Sequence, residues 1–240
     1  MAKEALSRID HRKRERIFRN AAAEFARYGY HKANINSIAR RAGIGKGSIY
    51  LYFTDKRDLY LSTFKEAARI QNEVFDTIES MDLDAIAMIE KVFEESLNTF
   101  PRYRNMFKMY FDLAGSGNDG SLSDLARMLE MRSAEFFKNV LREGIASGRI
   151  RKDLSVEHAA YLIDSVYSIF FTTLANRYQR ERFRVFAESD ISEDNSAIEM
   201  HMRKILNVME AGIVASKQPA RRRDSAAGGG NSKGRARLKA

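Results

Sequence analysis

The sequence predicts an all-α fold, and three observations carry that expectation. Apolar residues recur at three- and four-residue spacing along almost the whole chain, and no stretch sustains the alternation of a half-buried strand. With 240 residues, 44% hydrophobic and 30% charged, the chain has enough apolar material to close a core. The first predicted helix runs from about Arg8 to Gly29, with Ile17, Phe18, Ala21, Ala22 and Phe25 on one face and Gly29 as its stop. A shorter helix follows, capped by the Asn34 side chain, lined by Ile35, Ile38, Ala39 and Ala42, and closed by Gly43. After the turn Gly43-Ile44-Gly45, a third short helix spans about Lys46 to Phe53, with Ile49 and Phe53 directed inward. Thr54 or Asp55 then caps a long fourth helix, predicted over about Asp55 to Glu79.

The remaining helices are expected at about Asp84 to Thr99, Arg102 to Ala114, Ser121 to Ser147, Ser155 to Arg180 and Asp194 to Ser216, about nine in all. Gly115 to Gly120 reads as a loop, Gly148 as a helix stop and Ile150 to Leu154 as a short connection. From Ser216 onward large apolar residues almost vanish, so that stretch cannot offset its ordering entropy. The expected organisation is a head at 1–56, a larger helical body at 57–216 and a disordered basic tail at 217–240.

Charge divides along the same lines. Residues 1–57 carry 14 Lys and Arg against 5 Asp and Glu, and residues 216–240 carry 8 against 1. The stretch between them holds 19 against 26, so two basic ends flank an acidic middle. Such a head suits a polyanion, because Lys and Arg release condensed counterions when they neutralise phosphates. With no cysteine there is no disulfide, no thiolate metal site and no cysteine nucleophile, which fits a reducing compartment. No apolar run reaches membrane-spanning length and the start is polar, so the protein is expected in the cytoplasm, without a membrane partner.

Two short helices joined by a tight glycine turn form a helix-turn-helix, whose second helix enters the major groove of DNA. With Ile49 and Phe53 inward, Lys46 and Tyr50 share the outer face, flanked by Gly47, Ser48, Leu51 and Tyr52. Lys46 suits guanine or phosphate, and Gly47 permits close backbone approach. Tyr50 and Tyr52 suit phosphate or a thymine methyl, and Leu51 suits apolar contact. Lys56 is placed for a flanking phosphate, and Asn34 and Asn36 complete the candidate DNA-binding set.

Residues Arg16 to Phe64 resemble the DNA-binding head of TetR-type (tetracycline-repressor-like) transcriptional regulators. The resemblance rests on Phe25 with Gly29-Tyr30, Ile38-Ala39 with Ala42-Gly43, and above all Lys46 to Phe53 followed by Lys56 and Leu59. Gly45 departs from the pattern, which more often has a small polar residue there, and Asn34 stands where Ser or Thr is common. The resemblance implies a homodimer that binds a roughly palindromic DNA operator as a repressor and is released by a small molecule. It also implies that the last two helices, about Ser155 to Arg180 and Asp194 to Ser216, form a four-helix bundle with a second copy. The first of these helices is apolar on two sides. One stripe holds Val156, Ala160, Ile163, Tyr167 and Phe170; another holds Ala159, Leu162, Val166, Ile169 and Thr173.

The middle helices are rich in aromatics and methionine, which suit an apolar effector such as a planar drug-like molecule or an acyl chain. The candidate effector contacts are Phe93, Met106, Phe107, Tyr110, Phe111, Phe137, Tyr161 and Phe170. The alternative is a DNA-binding regulator of the same fold that works without a small ligand. Gly43 to Ser48 fails as a phosphate loop, because Arg40 stands where its first glycine belongs and a helix precedes it. His11, His31, His158 and His201 lack metal-ligand spacing, so neither a metal nor a cofactor is expected, and nothing points to an enzyme.

Overall fold

The computed structural model describes residues 4–6, 8–113, 120–191 and 194–215. A single 3-10 turn at Glu4–Leu6 precedes nine α-helices among the described residues. These are α1 (His11–Lys32), α2 (Ile35–Arg41), α3 (Lys46–Tyr52), α4 (Lys56–Glu79), α5 (Ala85–Leu113), α6 (Gly120–Ala146), α7 (Val156–Ala175), α8 (Arg177–Ala187) and α9 (Asn195–Ile213). An isolated antiparallel bridge between Ile150 and Val214 ties the α6–α7 connection to the end of α9. The tail expected at 217–240 and all but Gly120 of the loop expected at 115–120 lie outside the described residues.

The head follows from its caps. Asp10 starts α1 by accepting the Lys13 amide at 3.2 Å. Gly29, at φ 69 and ψ 170, kinks α1 where a stop was expected, and the helix resumes as far as Lys32. The Asn34 side chain accepts the amides of Asn36 at 2.9 Å and Ser37 at 3.4 Å, opening α2 as anticipated. A Schellman motif closes α2. The Ile44 amide reaches back to Ala39 and the Gly43 amide to Arg40, with Gly43 at φ 68. Asp55 caps α4, and the Asp58 carboxylate reaches back to the Thr54 amide at 2.9 Å.

Two sequence expectations need correction in the body. The helices expected at 84–99 and 102–114 are one helix, α5, running through Pro101. Proline removes one backbone hydrogen bond and crowds the preceding turn, at about 3 kcal/mol. Buried Phe100, Met106 and Met109 on either side offset that cost by holding the axis continuous. Conversely, the helix expected at 155–180 ends at Ala175. Asn176 leaves the helical region, and its side chain caps a new helix by accepting the amides of Tyr178 at 2.9 Å and Gln179 at 3.3 Å. That helix, α8, had no sequence-based counterpart.

Apolar residues close two cores. The lower one gathers Ile17, Phe18, Ile38, Ile49 and Phe53 from the first three helices, then continues past residue 56 through Leu59 and Phe64 of α4. Met106 and Met109 of α5 and Leu125 of α6 complete it, so the expected head is seated on the body through shared apolar contacts. The upper core is aromatic. Phe75 stacks on Phe136 at 4.5 Å, and Phe93, Phe137, Phe170 and Phe171 fill the space between α5, α6 and α7.

Candidate DNA-binding head and body cavity

The outer face of α3 carries Lys46, Gly47, Tyr50 and Leu51, all exposed, with Leu51 at 60% and Ser48 half-buried beside them. Ile49 and Phe53 point into the core at 1% and 2% exposure, as the spacing predicted. Asn34 and Asn36 are also exposed, at the start of α2 beside this face. Tyr52 is a correction. It is 7% exposed, its hydroxyl accepts from Lys13 Nζ at 2.9 Å, and its ring lies inside the head, not on the outer face. Lys56 is placed differently from expectation as well. Its ammonium donates to the carbonyls of His31 at 2.9 Å and Ala33 at 3.4 Å and covers the Tyr30 ring, so it fastens the end of α1 to α4.

Buried carboxylates that the sequence reading passed over hold this face rigid. Glu24 of α1, 3% exposed, accepts the Asn34 amide at 3.0 Å and pairs with Arg41, locking both ends of α2. Burial pushes the Asp58 carboxyl up, but hydrogen bonds and charge, the Thr54 amide and hydroxyl foremost, hold it below its ordinary value. Glu66 of α4 behaves alike. Burial raises it, and the guanidiniums of Arg69 at 2.8 Å and Arg14 at 2.6 Å bring it below the usual range. The Arg14–Glu66 pair joins α1 to α4, and Arg102–Glu15 joins α5 to α1.

Above the head, α4, α5, α6 and α7 surround a cavity of about 90 Å³. Of the eight candidate effector contacts, Met106, Phe107, Tyr110, Phe111 and Phe137 line it. Three do not. Phe93 and Phe170 pack behind the wall at 0% and 3% exposure, and Tyr161, 72% exposed, faces outward from α7. The helix spacing placed Tyr161 correctly on α7, but α7 turns that side away from the cavity. Met106 belongs to both regions, because it lines the cavity and packs into the lower core.

One side of the cavity is polar, and sequence reasoning missed most of it. Tyr110 of α5 donates to Glu130 of α6, and Ser133 donates to Asp164 of α7 at 3.1 Å. Tyr167 lies 2.9 Å from Ser96 Oγ and 3.1 Å from the Gln71 side-chain oxygen. Burial, reinforced by the Glu130 charge, pushes Asp164 up to about 6 despite the Ser133 hydrogen bond. Burial likewise holds Tyr110 and Tyr167 protonated far above the ordinary phenol range, with the nearby carboxylates adding to the shift.

The family described as "Bacterial regulatory proteins, tetR family" matches residues 17–63, the stretch that builds α2, α3 and their supports. The "Fatty acid metabolism regulator protein" of Bacillus subtilis is 32% identical over 158 residues, covering 60% of this chain and 74% of that protein. The chain belongs to the TetR family. It is thereby one of a family of DNA-binding transcriptional regulators. A second relative, the "HTH-type transcriptional repressor KstR2" of Mycolicibacterium smegmatis, is 24% identical over 60% of this chain and 71% of its own. The solved FadR regulator of Bacillus subtilis, in complex with stearoyl-CoA, shares the fold at a TM-score of 0.64 and 22% identity, covering 82% of this chain and 98% of that one. Within the TetR family reading, α2 and α3 are the helix-turn-helix pair, and the matched stretch runs on into α4 as far as residue 63. Among the described residues no helix is long and apolar enough to cross a membrane.

Proposed function

We propose that this TetR-family chain is a ligand-responsive repressor, with residues 1–56 reading DNA and 57–216 binding an effector and a second copy. The observation that carries the reading is Met106, which lines the body cavity and also packs into the core beneath the DNA-binding helices. A ligand that parts α4 and α5 must therefore move the seat of α1, α2 and α3. Its leverage equals its differential affinity for the two arrangements. The reader itself is Lys46, Gly47, Ser48, Tyr50 and Leu51, with Asn34 and Asn36 at the start of α2.

A homodimer fits the surface of α7 and α9. The stripe of Ile163 and Phe170 is buried in the chain's own core, whereas Leu162 and Ile169 on the other stripe are 62% and 50% exposed. Val208 of α9, which packs beside α7, is 76% exposed. Two such faces bury one another in an isologous bundle and set two α3 helices on one palindromic site. The cavity is smaller than the ~300 Å³ at which drug-sized pockets begin, so a long or bulky apolar effector enters by spreading the helices.

The test combines nuclease protection of the DNA upstream of the chain's own gene with sedimentation of the protein. The expected result is a two-fold symmetric protected site and a dimer that Leu162→Glu with Val208→Glu converts to a monomer. A monomer in the unsubstituted chain, or an asymmetric footprint bound by one copy, would overturn the dimeric reading.

A further inference from the structure

The polar side of the cavity is made of acceptors. Glu130 and Asp164 put two carboxylates into one apolar enclosure, and no Lys, Arg or His lines it among the described residues. Each has one side-chain donor, Tyr110 on Glu130 and Ser133 on Asp164, and a carboxylate accepts more than one. Gln71 adds to this. As placed, its side-chain nitrogen is buried with no partner, while the single Tyr167 hydroxyl proton stands between the Gln71 oxygen and Ser96 Oγ. Turning the amide over resolves both, because Gln71 then donates to Tyr167 and Tyr167 donates to Ser96. The Gln71 carbonyl oxygen then takes the buried position of the nitrogen, as a further acceptor without a partner.

We propose that the cavity takes an apolar ligand bearing a protonated amine, with the ammonium seated between Glu130 and Asp164 and the apolar body against Met106, Phe107 and Phe111. This rests on the reading of the cavity as the effector site and names the chemistry that it selects. Two carboxylates lining one mostly apolar pocket disfavour each other's ionisation, and a cation between them removes that cost while supplying the missing donors. A carboxylate-bearing ligand meets the opposite field. Binding of the amine is tied to pH by the same groups. Asp164 shares the cavity with Glu130 and Ser133 of α6, Tyr110 of α5, Gln71 of α4 and Tyr167 of its own helix, and Glu130 is the other carboxylate among them. The empty site holds a proton on Asp164 below about pH 6 that the ammonium must displace, so amine affinity rises as pH passes from 5 to 7.

The experiment uses three probes of equal chain length on the full chain: n-octylamine, n-octanol and n-octanoate, followed by calorimetry at pH 5 and pH 7.5. The expected result is binding of the amine about ten- to a hundredfold tighter than the alcohol at pH 7.5, with octanoate weakest. Asp164→Asn and Glu130→Gln should each bring octylamine affinity down to within a fewfold of octanol affinity, with cooperative thermal unfolding retained, which separates loss of recognition from loss of folding. Octanoate equal to or tighter than octylamine, or an amine preference that persists in both variants, would overturn the proposal while leaving the cavity as the effector site. No binding by any of the three would overturn it together with the reading of this cavity as an effector site.

Discussion

The head and the body treat buried charge in opposite ways. In the head and the first half of α4, on which the head sits, every buried carboxylate described above is compensated: Glu24 by Arg41 and the Asn34 amide, Asp58 by Thr54, and Glu66 by Arg14 and Arg69. In the body Glu130 and Asp164 face a cavity with a hydroxyl each and no cation lining it among the described residues. A compensated charge fixes geometry, because removing one partner leaves the other exposed to the full cost of burial. An uncompensated one leaves a deficit that a ligand can fill. On the proposed function, the difference separates a reader that must keep its shape from a sensor whose shape must respond.

The largest expected effect tests the rigid side. Glu66→Ala strands Arg14 at the junction of α1 and α4 and leaves Arg69 with Glu73 alone, and unfolding in urea should show a loss of about 2–3 kcal/mol, discounted for the partly exposed guanidiniums. A loss below about 0.5 kcal/mol would mean that the pair is ornamental. Next comes the reading face. Lys46→Ala should weaken specific DNA binding about ten- to a hundredfold, with dimerisation and melting temperature unchanged.

Acidity should set the two regions against each other. Glu66 and Asp58 lie below their ordinary values in the folded chain, so their stabilisation is complete at neutral pH and is lost as pH falls through those lowered values. Asp164 has the opposite sign. Its stabilising proton is fully present below the usual carboxylate range and is lost as pH rises through about 6, so its ionised form strains the body at pH 8. Asp164→Asn should therefore raise the melting temperature by several degrees at pH 8 and hardly change it at pH 4, as read by thermal denaturation. An equal shift at both values would assign the effect to packing instead of charge. The smallest effect separates two neighbouring tyrosines. Tyr52→Phe loses one hydrogen bond from Lys13, about 1 kcal/mol of stability, and should leave DNA specificity intact, whereas Tyr50→Ala should lower DNA affinity.

The head was largely legible in the sequence because its signals are local. Asn34 as a cap, Gly43 as a turn and the inward pair Ile49 and Phe53 all stand where spacing placed them. Tyr52 was misread because the short α3 turns it beneath the face, where Lys13 of α1, 39 residues away, takes its hydroxyl. Body signals depend on partners remote in sequence. Pro101 reads as a break until the buried Phe100, Met106 and Met109 are seen to hold the axis, and Asn176 marks a helix start that the apolar run before it obscured. The cavity was half visible. Its aromatic and methionine lining follows from composition, but its polar side is built from single residues on four helices, Gln71, Tyr110, Glu130 and Asp164. Asp164, a lone acid in the apolar run of α7, was the one local clue to it.

The coupling of cavity to head is the central claim, and release of bound DNA tests it most directly. The anisotropy of labelled DNA from upstream of the chain's own gene should be followed against scrambled DNA across a salt series, with and without a panel of apolar ligands that includes amines. The account predicts specific, salt-sensitive binding that a cavity ligand weakens by at least about tenfold, a coupling of about 1.4 kcal/mol. Specific binding that stays unchanged while calorimetry shows the cavity occupied would contradict it.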